Sequence, residues 1–427
     1  MRRKIDVEEL KMGMYVAELD RPWMDSPFLF QGFTIDREED LEQLKETCEY
    51  VFIDEVRGEA ANDPADDDRT IRRSMNVRPE SDPKQSRSEW MKIASEERRT
   101  GFQREFQKLY VMRAKTRQYV DKLLTDVRFG NAIDTDTAKA VVTEMVDAIT
   151  EDADTALWLT QLKNAHDYTA QHCINVSVLS IAFAAHLGFS KEQLKLIGLG
   201  ALLHDVGKMK TPQEILDKPG KLTPEEFDVM KRHPVDGYEI MKATNAVPAQ
   251  ALQVIRFHHE RVNGRGYPDG LQGDQLSTAV LIVAICDVYD AITSDRAYHH
   301  GLPADKGMSA MYQMAPSAFG KGLVEEFIRC IGIYPVGTLV EIGTGAVGVV
   351  MTNDPSNKLR PVVMLVRDAD GKEYYPRRYI SLAAQDRIDK SRDWKVRRIV
   401  DPSSVGVDMH QIASQELLEG GSQVIHI

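Results

Sequence analysis

The sequence HHERVNGRGYPDGL, residues 258–271, determines how the rest of the chain can be interpreted. Its two histidines follow an apolar run, so both side chains can face one cavity only if the backbone turns there. Three glycines in the loop that follows give the backbone conformational freedom and allow a ligand to approach closely. The pattern predicts a metal site with a substrate-binding loop beside it. The alternative interpretation is a surface turn whose histidines cap a helix.

Further candidate metal ligands occur on both sides of this stretch. An apolar run ends in an adjacent histidine and aspartate, and single candidates precede and follow it. Imidazole and carboxylate together suit a first-row transition metal, and seven ligands exceed the four that zinc takes. Two cations bridged by a carboxylate and a water would hold a phosphoryl group during its displacement. The candidate ligands are His172, His204, Asp205, His233, His258, His259 and Asp287.

The order of these residues resembles that of the HD-GYP family of bacterial phosphodiesterases. The family has a histidine, a His-Asp pair, a histidine, a His-His pair and an aspartate, with Gly-Tyr-Pro after the histidine pair; here Gly266-Tyr267-Pro268 stands in that place. The resemblance implies hydrolysis of cyclic di-GMP to linear pGpG, and sometimes to GMP, in signalling that governs biofilm formation and motility. It also implies two iron or manganese ions, with Asp205 as both bridging ligand and catalytic residue.

The resemblance also indicates residues that would bind the substrate. Lys208 is four residues after His204, hence on the same helical face if the helix continues, and it is expected to act in catalysis by contacting a phosphate oxygen. Arg296 would offer its planar guanidinium for bidentate hydrogen bonding to a phosphate, although Ala297 replaces a proline that is usual in the family. Tyr267 would contact substrate or a partner protein. The alternatives are a surface ion pair for Arg296 and simple loop packing for Tyr267.

Four other positions qualify the resemblance. Asp290, three residues after the candidate ligand Asp287, and Glu260 are expected to support the ligands from behind. Some family members hold a third metal with a glutamate four residues before the first histidine, but Tyr168 stands there, so two metals are expected. Asn263 replaces a frequent aspartate in the glycine loop, at a turn position that both residue types serve with similar local hydrogen bonds.

Composition limits the class of protein. The 427 residues allow two to three domains, and the net charge of −12 provides no electrostatic footprint for nucleic acid. The sequence contains no apolar run near 18 residues and no apolar core after the basic start, so neither a transmembrane helix nor a signal peptide is expected. Its four cysteines lack metal or disulfide spacing. They indicate reduced thiols and a cytoplasmic protein.

Periodicity and composition predict a mainly α protein: an all-helical catalytic domain with small flanking domains. The connecting helix is either a solvated charged helix or a dimer contact, and the aromatic run 21–33 is either domain packing or a ligand lip. The predicted segments are a small α+β N-terminal domain at 1–57, a polar linker at 58–88, a connecting helix at 89–132, the catalytic domain at 133–332, a small β module at 333–385 and a polar tail at 386–427.

Two other functions remain open at this stage. The chain could hydrolyse another cyclic dinucleotide or nucleotide, because His-Asp domains act on many phosphoesters and the sequence identifies no residue that would recognise guanine directly. It could also be a non-catalytic cyclic di-GMP receptor or scaffold, although the intact ligand set argues against that. A homodimer, and a protein partner at the Gly-Tyr-Pro loop or the N-terminal domain, are further options that the sequence does not decide.

Overall fold

The computed structural model describes residues 2–20, 33–35, 38–54, 87–162, 168–295, 301–353 and 359–419. These residues form a mainly helical protein with one small sheet near each end, which confirms the predicted fold class. The chain divides into two compact units, Met1–Glu96 and Glu97–Ile427. In the described part of the chain, no helix is both long and apolar enough to cross a membrane.

The N-terminal unit contains a four-stranded antiparallel sheet in the order β1-β4-β2-β3. Leu44 and Val51 are fully buried in its core, and Leu41, predicted to point inward, packs against that core. Residues 58–86 of the linker predicted at 58–88, and most of the aromatic run, lie outside the described residues. The elements are β1 Arg2–Asp6, β2 Tyr15–Leu19, β3 Phe33–Thr34, α1 Glu38–Thr47 and β4 Tyr50–Asp54.

The connecting helix α2, Arg87–Phe129, contributes to the core of the second unit. The fully buried Phe106 ring meets the Trp158 ring edge-on at 4.6 Å between centroids. The Arg113 guanidinium donates to the carbonyls of Leu159 and Leu162. The apolar side of α2 is therefore covered by this chain itself over these residues.

Eleven further α-helices in the described part of the chain build the helical domain around α6, which packs against α3, α5 and α10. Side chains at the start of several helices close their first turns, as in the capping box of Ser190 and Gln193 on α6. The α-helices among the described residues are α3 Thr135–Glu151, α4 Ala153–Thr160, α5 Tyr168–His186, α6 Lys191–Leu203, α7 Gln213–Leu216, α8 Pro224–Met230, α9 His233–Ala243, α10 Ala249–Phe257, α11 Thr278–Thr293, α12 Ala304–Ala318 and α13 Lys321–Ile331.

Glycines allow the ligand-bearing helices to approach one another closely. A Cβ on Gly200 of α6 would lie 2.6 Å from Val254 of α10, and one on Gly207 would lie 2.0 Å from the carbonyl oxygen of His233. No larger residue fits either place without moving backbone or core side chains. The lack of a side chain at Gly200 and Gly207 therefore sets the distance between the chain at His204 and the helices that carry the later histidines.

The second unit ends in a five-stranded antiparallel sheet in the order β8-β7-β6-β5-β9. A turn at Gly371 joins β7 to β8, as the Asp370-Gly371 pair predicted. The β9 strand lies within the predicted polar tail, so the sheet extends beyond the boundary expected at 385. The elements are β5 Leu339–Ile342, β6 Val347–Thr352, β7 Val362–Arg367, β8 Glu373–Ser381, α14 Leu382–Ile388, β9 Val396–Ile399 and α15 Met409–Glu419.

Candidate metal centre

Five elements bring the seven predicted ligands together in the helical domain. The second turn of α5 carries the first histidine, the end of α6 carries the His-Asp pair, α9 begins with the next histidine, the end of α10 carries the histidine pair and α11 carries the aspartate. All are buried except His259, whose side chain is 19% exposed. The ligand atoms fall into three overlapping groups, each within 4.8 Å: His172, His204 and Asp287; His233, His258 and His259; and His204, Asp205 and His258.

The first group, which we call group A, consists of His172, His204 and Asp287. His172 Nε2 lies 3.1 Å from Asp287 Oδ1, and His204 Nε2 lies 3.9 Å from the same oxygen. Two imidazole nitrogens and a carboxylate oxygen thus converge from three helices. This is a donor set typical of a site for a first-row divalent cation.

The second group, group B, consists of His233, His258 and His259. His233 Nε2 and His258 Nε2 are 3.2 Å apart, and the rings of the adjacent histidines His258 and His259 are 4.2 Å apart between centroids. The backbone turn required to direct two neighbouring histidines into one cavity comes from the end of α10, because α10 stops at Phe257.

Asp205 lies between the two groups. Its Oδ2 atom is 3.4 Å from His204 Nε2 and 3.7 Å from His172 Nε2, both in group A. Its Oδ1 atom is 3.3 Å from His233 Nε2 in group B. One carboxylate therefore faces one histidine group with each oxygen, which is the geometry required of a bridging ligand.

Three of the histidines are oriented by the ends of helices. His204 Nδ1 donates to Ala201 O at 2.7 Å and His258 Nδ1 donates to Ile255 O at 2.9 Å, at the C-terminal ends of α6 and α10. Such carbonyls lack partners within the helix. His204 and His258 therefore cap their helices and face the cluster as well, but the histidine pair is not the surface turn of the alternative interpretation, because His258 is fully buried.

His233 is oriented in the same way, but the sequence interpretation missed the break that allows it. We expected one helix from 224 onward to carry His233, whereas α8 ends at Met230 and α9 starts at His233. Pro234 has no N–H to donate to Met230 O, four residues earlier, so the helix cannot continue. His233 Nδ1 donates to that carbonyl instead, at 2.7 Å.

The hydrogen bonds test whether the cluster fits a cation. A carbonyl can only accept, so Nδ1 carries the proton in each of these histidines and Nε2 presents a lone pair. The lone pairs of His233 and His258 then face each other at 3.2 Å, an unfavourable arrangement that a cation between them would relieve. The buried His204 Nε2 and Asp205 Oδ1 make no hydrogen bond to any described residue. The residues fit a metal.

The environment keeps the two candidate carboxylate ligands ionised. Burial raises the pKa of Asp205, but its close contacts with His204 and the Lys208 ammonium outweigh burial and hold that pKa well below its usual value. Burial likewise opposes ionisation of Asp287, but the hydrogen bond from His172, together with the neighbouring imidazoles, outweighs burial and lowers the pKa of Asp287 well below the usual value. Metal ligands must be deprotonated, and both carboxylates meet that requirement.

The imidazoles of group B and that of His172 respond differently to burial. Burial is the main cause that lowers the pKa of His233 to about 4 and that of His259 to about 3, and it also holds the pKa of His258 well below its usual value. At His172 burial also lowers the pKa, but hydrogen bonds from its ring to Asp287 and Asp290 outweigh burial and raise the pKa to about 9. Group B is therefore ready to bind a cation at neutral pH, whereas His172 must first lose a proton.

Lys208 reaches the site by a different route from the one expected. The α6 helix ends at Leu203, and a 3₁₀ turn over Val206–Lys210 follows. The turn places the Lys208 ammonium 2.5 Å from Asp205 Oδ2, three residues away, with 22% of its side chain exposed. Proximity to that carboxylate more than offsets burial and raises the pKa of Lys208. A permanent positive charge thus stands beside the carboxylate between the two groups.

Asp290 contacts the ring of His172, and Asn175 is an unpredicted partner of the same carboxylate. His172 Nδ1 donates to Asp290 Oδ2 at 2.7 Å, and Asn175 Nδ2 donates to Asp290 Oδ1 at 3.0 Å. Gln171 Nε2 donates to Asn175 Oδ1 at 2.8 Å. A carboxylate behind a ligating histidine fixes the orientation of the ring. The indication in the sequence was a buried polar residue three positions after His172, on the same helical face.

Glu260 contacts the loop instead of a ligand, which corrects our expectation. Its fully buried carboxylate accepts hydrogen bonds from the backbone N–H groups of Asp269, Gly270 and Leu271 at 2.7, 2.9 and 3.1 Å. These charge-assisted hydrogen bonds involve both oxygens of the Glu260 carboxylate. A Cβ at Gly266 would lie 2.4 Å from the Glu260 Cα, so the loop packs directly on this segment.

The remaining predicted substrate residues are described only in part. The Tyr267 ring stacks on the His259 ring at 4.7 Å between centroids and 30°, so the loop touches a candidate ligand. Asn263 Oδ1 accepts from the Arg265 N–H at 3.0 Å, the local turn bond that was expected. Arg296 lies outside the described residues, as does the side chain of Tyr168.

Family models match three parts of the chain. A model described as an HD domain matches residues 153–323, which contain all seven candidate ligands. A domain of unknown function, DUF3391, matches residues 2–138. A KOW domain associated with the HD domain matches residues 339–388, which cover the first four strands of the C-terminal sheet.

Several proteins are similar in sequence. The cyclic di-GMP phosphodiesterase PA4108 of Pseudomonas aeruginosa is 34% identical over 392 residues, covering 91% of this chain and 91% of that protein. The cyclic di-GMP phosphodiesterase response regulator RpfG of Xanthomonas campestris is 37% identical over 177 residues, 40% of this chain and 47% of that protein. The 3′3′-cGAMP-specific phosphodiesterase 1 of Vibrio cholerae is 37% identical over 144 residues, 34% of this chain and 33% of that protein.

The match to PA4108 runs through almost the whole length of both proteins, and the HD domain model matches the segment in which the His-Asp pair, the histidine pair and the Gly-Tyr-Pro loop occur in order. The chain belongs to the HD-GYP family of cyclic di-GMP phosphodiesterases.

Proposed function

We propose that this chain hydrolyses a phosphodiester bond of cyclic di-GMP to give linear pGpG, with GMP as a further product in prolonged reactions. The position of Asp205 between two histidine groups carries this proposal, because two cations held side by side can clamp both the attacking and the leaving oxygen of a phosphoryl displacement. The near full-length similarity to PA4108 supports cyclic di-GMP as the substrate.

We infer that the centre holds two divalent cations, iron or manganese. Group A with Asp205 would hold one and group B with Asp205 the other. Five imidazoles and two carboxylates suit these metals better than magnesium, which prefers oxygen ligands and water. Tyr168 at the glutamate position supports a count of two. When bound, the cations would polarise the scissile phosphate and lower the pKa of the attacking water.

The side chains around the ligands would handle the charge of the substrate. Lys208, beside Asp205, would neutralise a non-bridging phosphate oxygen as charge develops on it. We assign the same task to Arg296 from the family resemblance. Tyr267, which is half-buried and stacks on His259, would line the entrance to the site.

The remaining proposals concern the cellular location, the oligomeric state and the partners of the enzyme. All four cysteines are free thiols, which supports a cytoplasmic location. A homodimer, and a protein partner at the Gly-Tyr-Pro loop or the N-terminal domain, stay as proposals, and the net charge of −12 supports neither nucleic acid nor anionic lipid as a partner.

The decisive experiment is product analysis with purified protein and a panel of cyclic dinucleotides, under anaerobic conditions with Fe²⁺ or Mn²⁺. We expect pGpG from cyclic di-GMP, and no product when a chelator removes the metal. A protein that binds metal and cyclic di-GMP but releases no product would be a receptor, and the proposal of catalysis would be wrong.

A second candidate substrate is 3′3′-cGAMP. The similarity to the 3′3′-cGAMP-specific phosphodiesterase 1 of V. cholerae, although confined to 34% of this chain, supports testing it. Relative kcat/KM values for the two cyclic dinucleotides, measured in competition, discriminate between these functions.

A further inference from the structure

Aromatic side chains lead from the candidate metal centre to the surface. The Tyr267 ring stacks on His259, and the Phe227 and Tyr267 rings meet in an edge-to-face pair at 6.4 Å between centroids and 80°. Phe227 is 46% exposed. We call His259, Tyr267 and Phe227 the aromatic row. It joins a candidate ligand to an accessible aromatic surface within about 11 Å, the sum of the two centroid separations.

Phe227 is held in place by a well-fixed short helix. Thr223 and Glu226 form a capping box at the start of α8, with Pro224 in the first turn. The Glu226 carboxylate also pairs with Lys218 Nζ at 2.5 Å. These contacts fix the backbone at Phe227 before any ligand arrives. An aromatic side chain on such a support can stack on a planar ligand with little loss of conformational entropy.

Lys231 directly follows α8, and its backbone N–H donates to the carbonyl of Phe227. Its ammonium is 5.2 Å from the centre of the Phe227 ring and 2.5 Å from Asp228 Oδ1. An ammonium has three N–H donors, so it can contact Asp228 and still donate to an acceptor above the ring. Guanine presents two acceptors on one edge, N7 and O6, whereas adenine presents an acceptor and a donor there.

We propose that Phe227 is a stacking platform for one purine base of the cyclic dinucleotide and that Lys231 donates to the acceptor edge of that base. The proposal rests on the proposed hydrolysis of a cyclic dinucleotide and adds the subsite that selects the base. With the phosphate at the metal centre, the sugar and base extend along the aromatic row. Stacking provides affinity, and the Lys231 donor favours guanine over adenine.

The first test compares Phe227→Ala with Val229→Ala, a control on the same helix whose side chain is 37% exposed. Base stacking on an aromatic residue corresponds to roughly a 5- to 100-fold change in affinity. We expect Phe227→Ala to raise the KM for cyclic di-GMP by that factor while metal content and hydrolysis of methyl p-nitrophenyl phosphate, which is too short to reach Phe227, stay unchanged. Phe227→Trp should restore the KM, and Val229→Ala should behave as wild type.

Two results would overturn the stacking role. If Phe227→Ala impaired both substrates equally and lowered the melting temperature, Phe227 would only be packing against Tyr267. If it changed neither, the base would bind elsewhere. For Lys231→Met, we expect a smaller ratio of kcat/KM for cyclic di-GMP over cyclic di-AMP, and an unchanged ratio would exclude Lys231 from base recognition.

A binding measurement separates this proposal from the proposed function. Calorimetric titration of cyclic di-GMP into the chelator-treated protein reports binding without turnover. If wild type bound the dinucleotide but never hydrolysed it, while Phe227→Ala lost that binding, the subsite would stand and catalysis would fail. If wild type hydrolysed it and Phe227→Ala bound and turned it over normally, only the subsite would fail.

Discussion

The substitution Asp205→Asn should remove tight metal binding from both histidine groups. It keeps the shape of the side chain and deletes one of the two negative charges among the seven candidate ligands, the other being Asp287. The Asp205 oxygens lie 3.3 to 3.7 Å from three histidine nitrogens, so any cation those nitrogens hold would be close to them. At an effective dielectric constant of about 20, two unit charges about 4 Å apart contribute roughly 4 kcal/mol. That corresponds to about a thousandfold change in affinity.

The assay is a titration of metal-free protein with Mn²⁺, followed by elemental analysis after dialysis against a weak chelator. Asp147→Asn serves as a control, because it removes an exposed carboxylate of α3 that pairs only with Lys191 in the described contacts. Circular dichroism of the metal-free proteins verifies that both variants fold. We expect the control to retain two ions and Asp205→Asn to retain none. Retention of both ions and of hydrolysis by Asp205→Asn would refute the bridging assignment.

Four further predictions follow from the same geometry. Lys208→Met should keep both metals, because its ammonium contacts Asp205 and not a histidine, and should lower kcat about 100-fold; loss of metal would contradict this. Asn175→Leu should weaken metal affinity about 10- to 100-fold by releasing Asp290, and an unchanged dissociation constant would rule out its supporting role. Metal binding at pH 7.5 should release about one proton, since the pKa of His172 near 9 leaves its ring protonated without metal, and calorimetry in buffers of different ionisation enthalpy would count that proton. The metal affinity should therefore rise with pH up to about 9. Glu260→Gln should lower stability by about 1–3 kcal/mol and leave metal content intact, because three loop N–H groups lose their charged acceptor; a variant that melts like wild type would show that the loop does not depend on it.

The ligand set could be predicted from the sequence because residue type and order carry its chemistry. Helices such as α6 could be predicted because their apolar spacing and end residues are local features. Pro234 indicated a helix break before His233. The sequence interpretation nevertheless assigned His233 to the preceding helix, so the break was missed. The 3₁₀ turn that redirects Lys208 depends on the close packing of Gly207 against the chain at His233, a tertiary contact that local patterns do not report.

Other features depend on contacts between distant parts of the chain. Glu260 binds backbone N–H groups nine to eleven residues later, and a sequence does not state where backbone donors point. The β9 strand has two exposed arginines, Arg397 and Arg398, at the edge of its sheet. Its few apolar residues give no alternating pattern, so pairing with β5 could not be read from composition.

The packing of α2 determines how this architecture can be divided in engineering and in evolution. The model of the N-terminal family extends to residue 138, yet Phe106 and Arg113 on α2 complete the core around Trp158 and the end of α4 in the second unit. A fragment that began at residue 133 would expose that Trp158 surface to water. Any exchange of N-terminal domains between relatives must therefore leave the segment from about residue 97 with the helical domain, or replace the facing residues together with it.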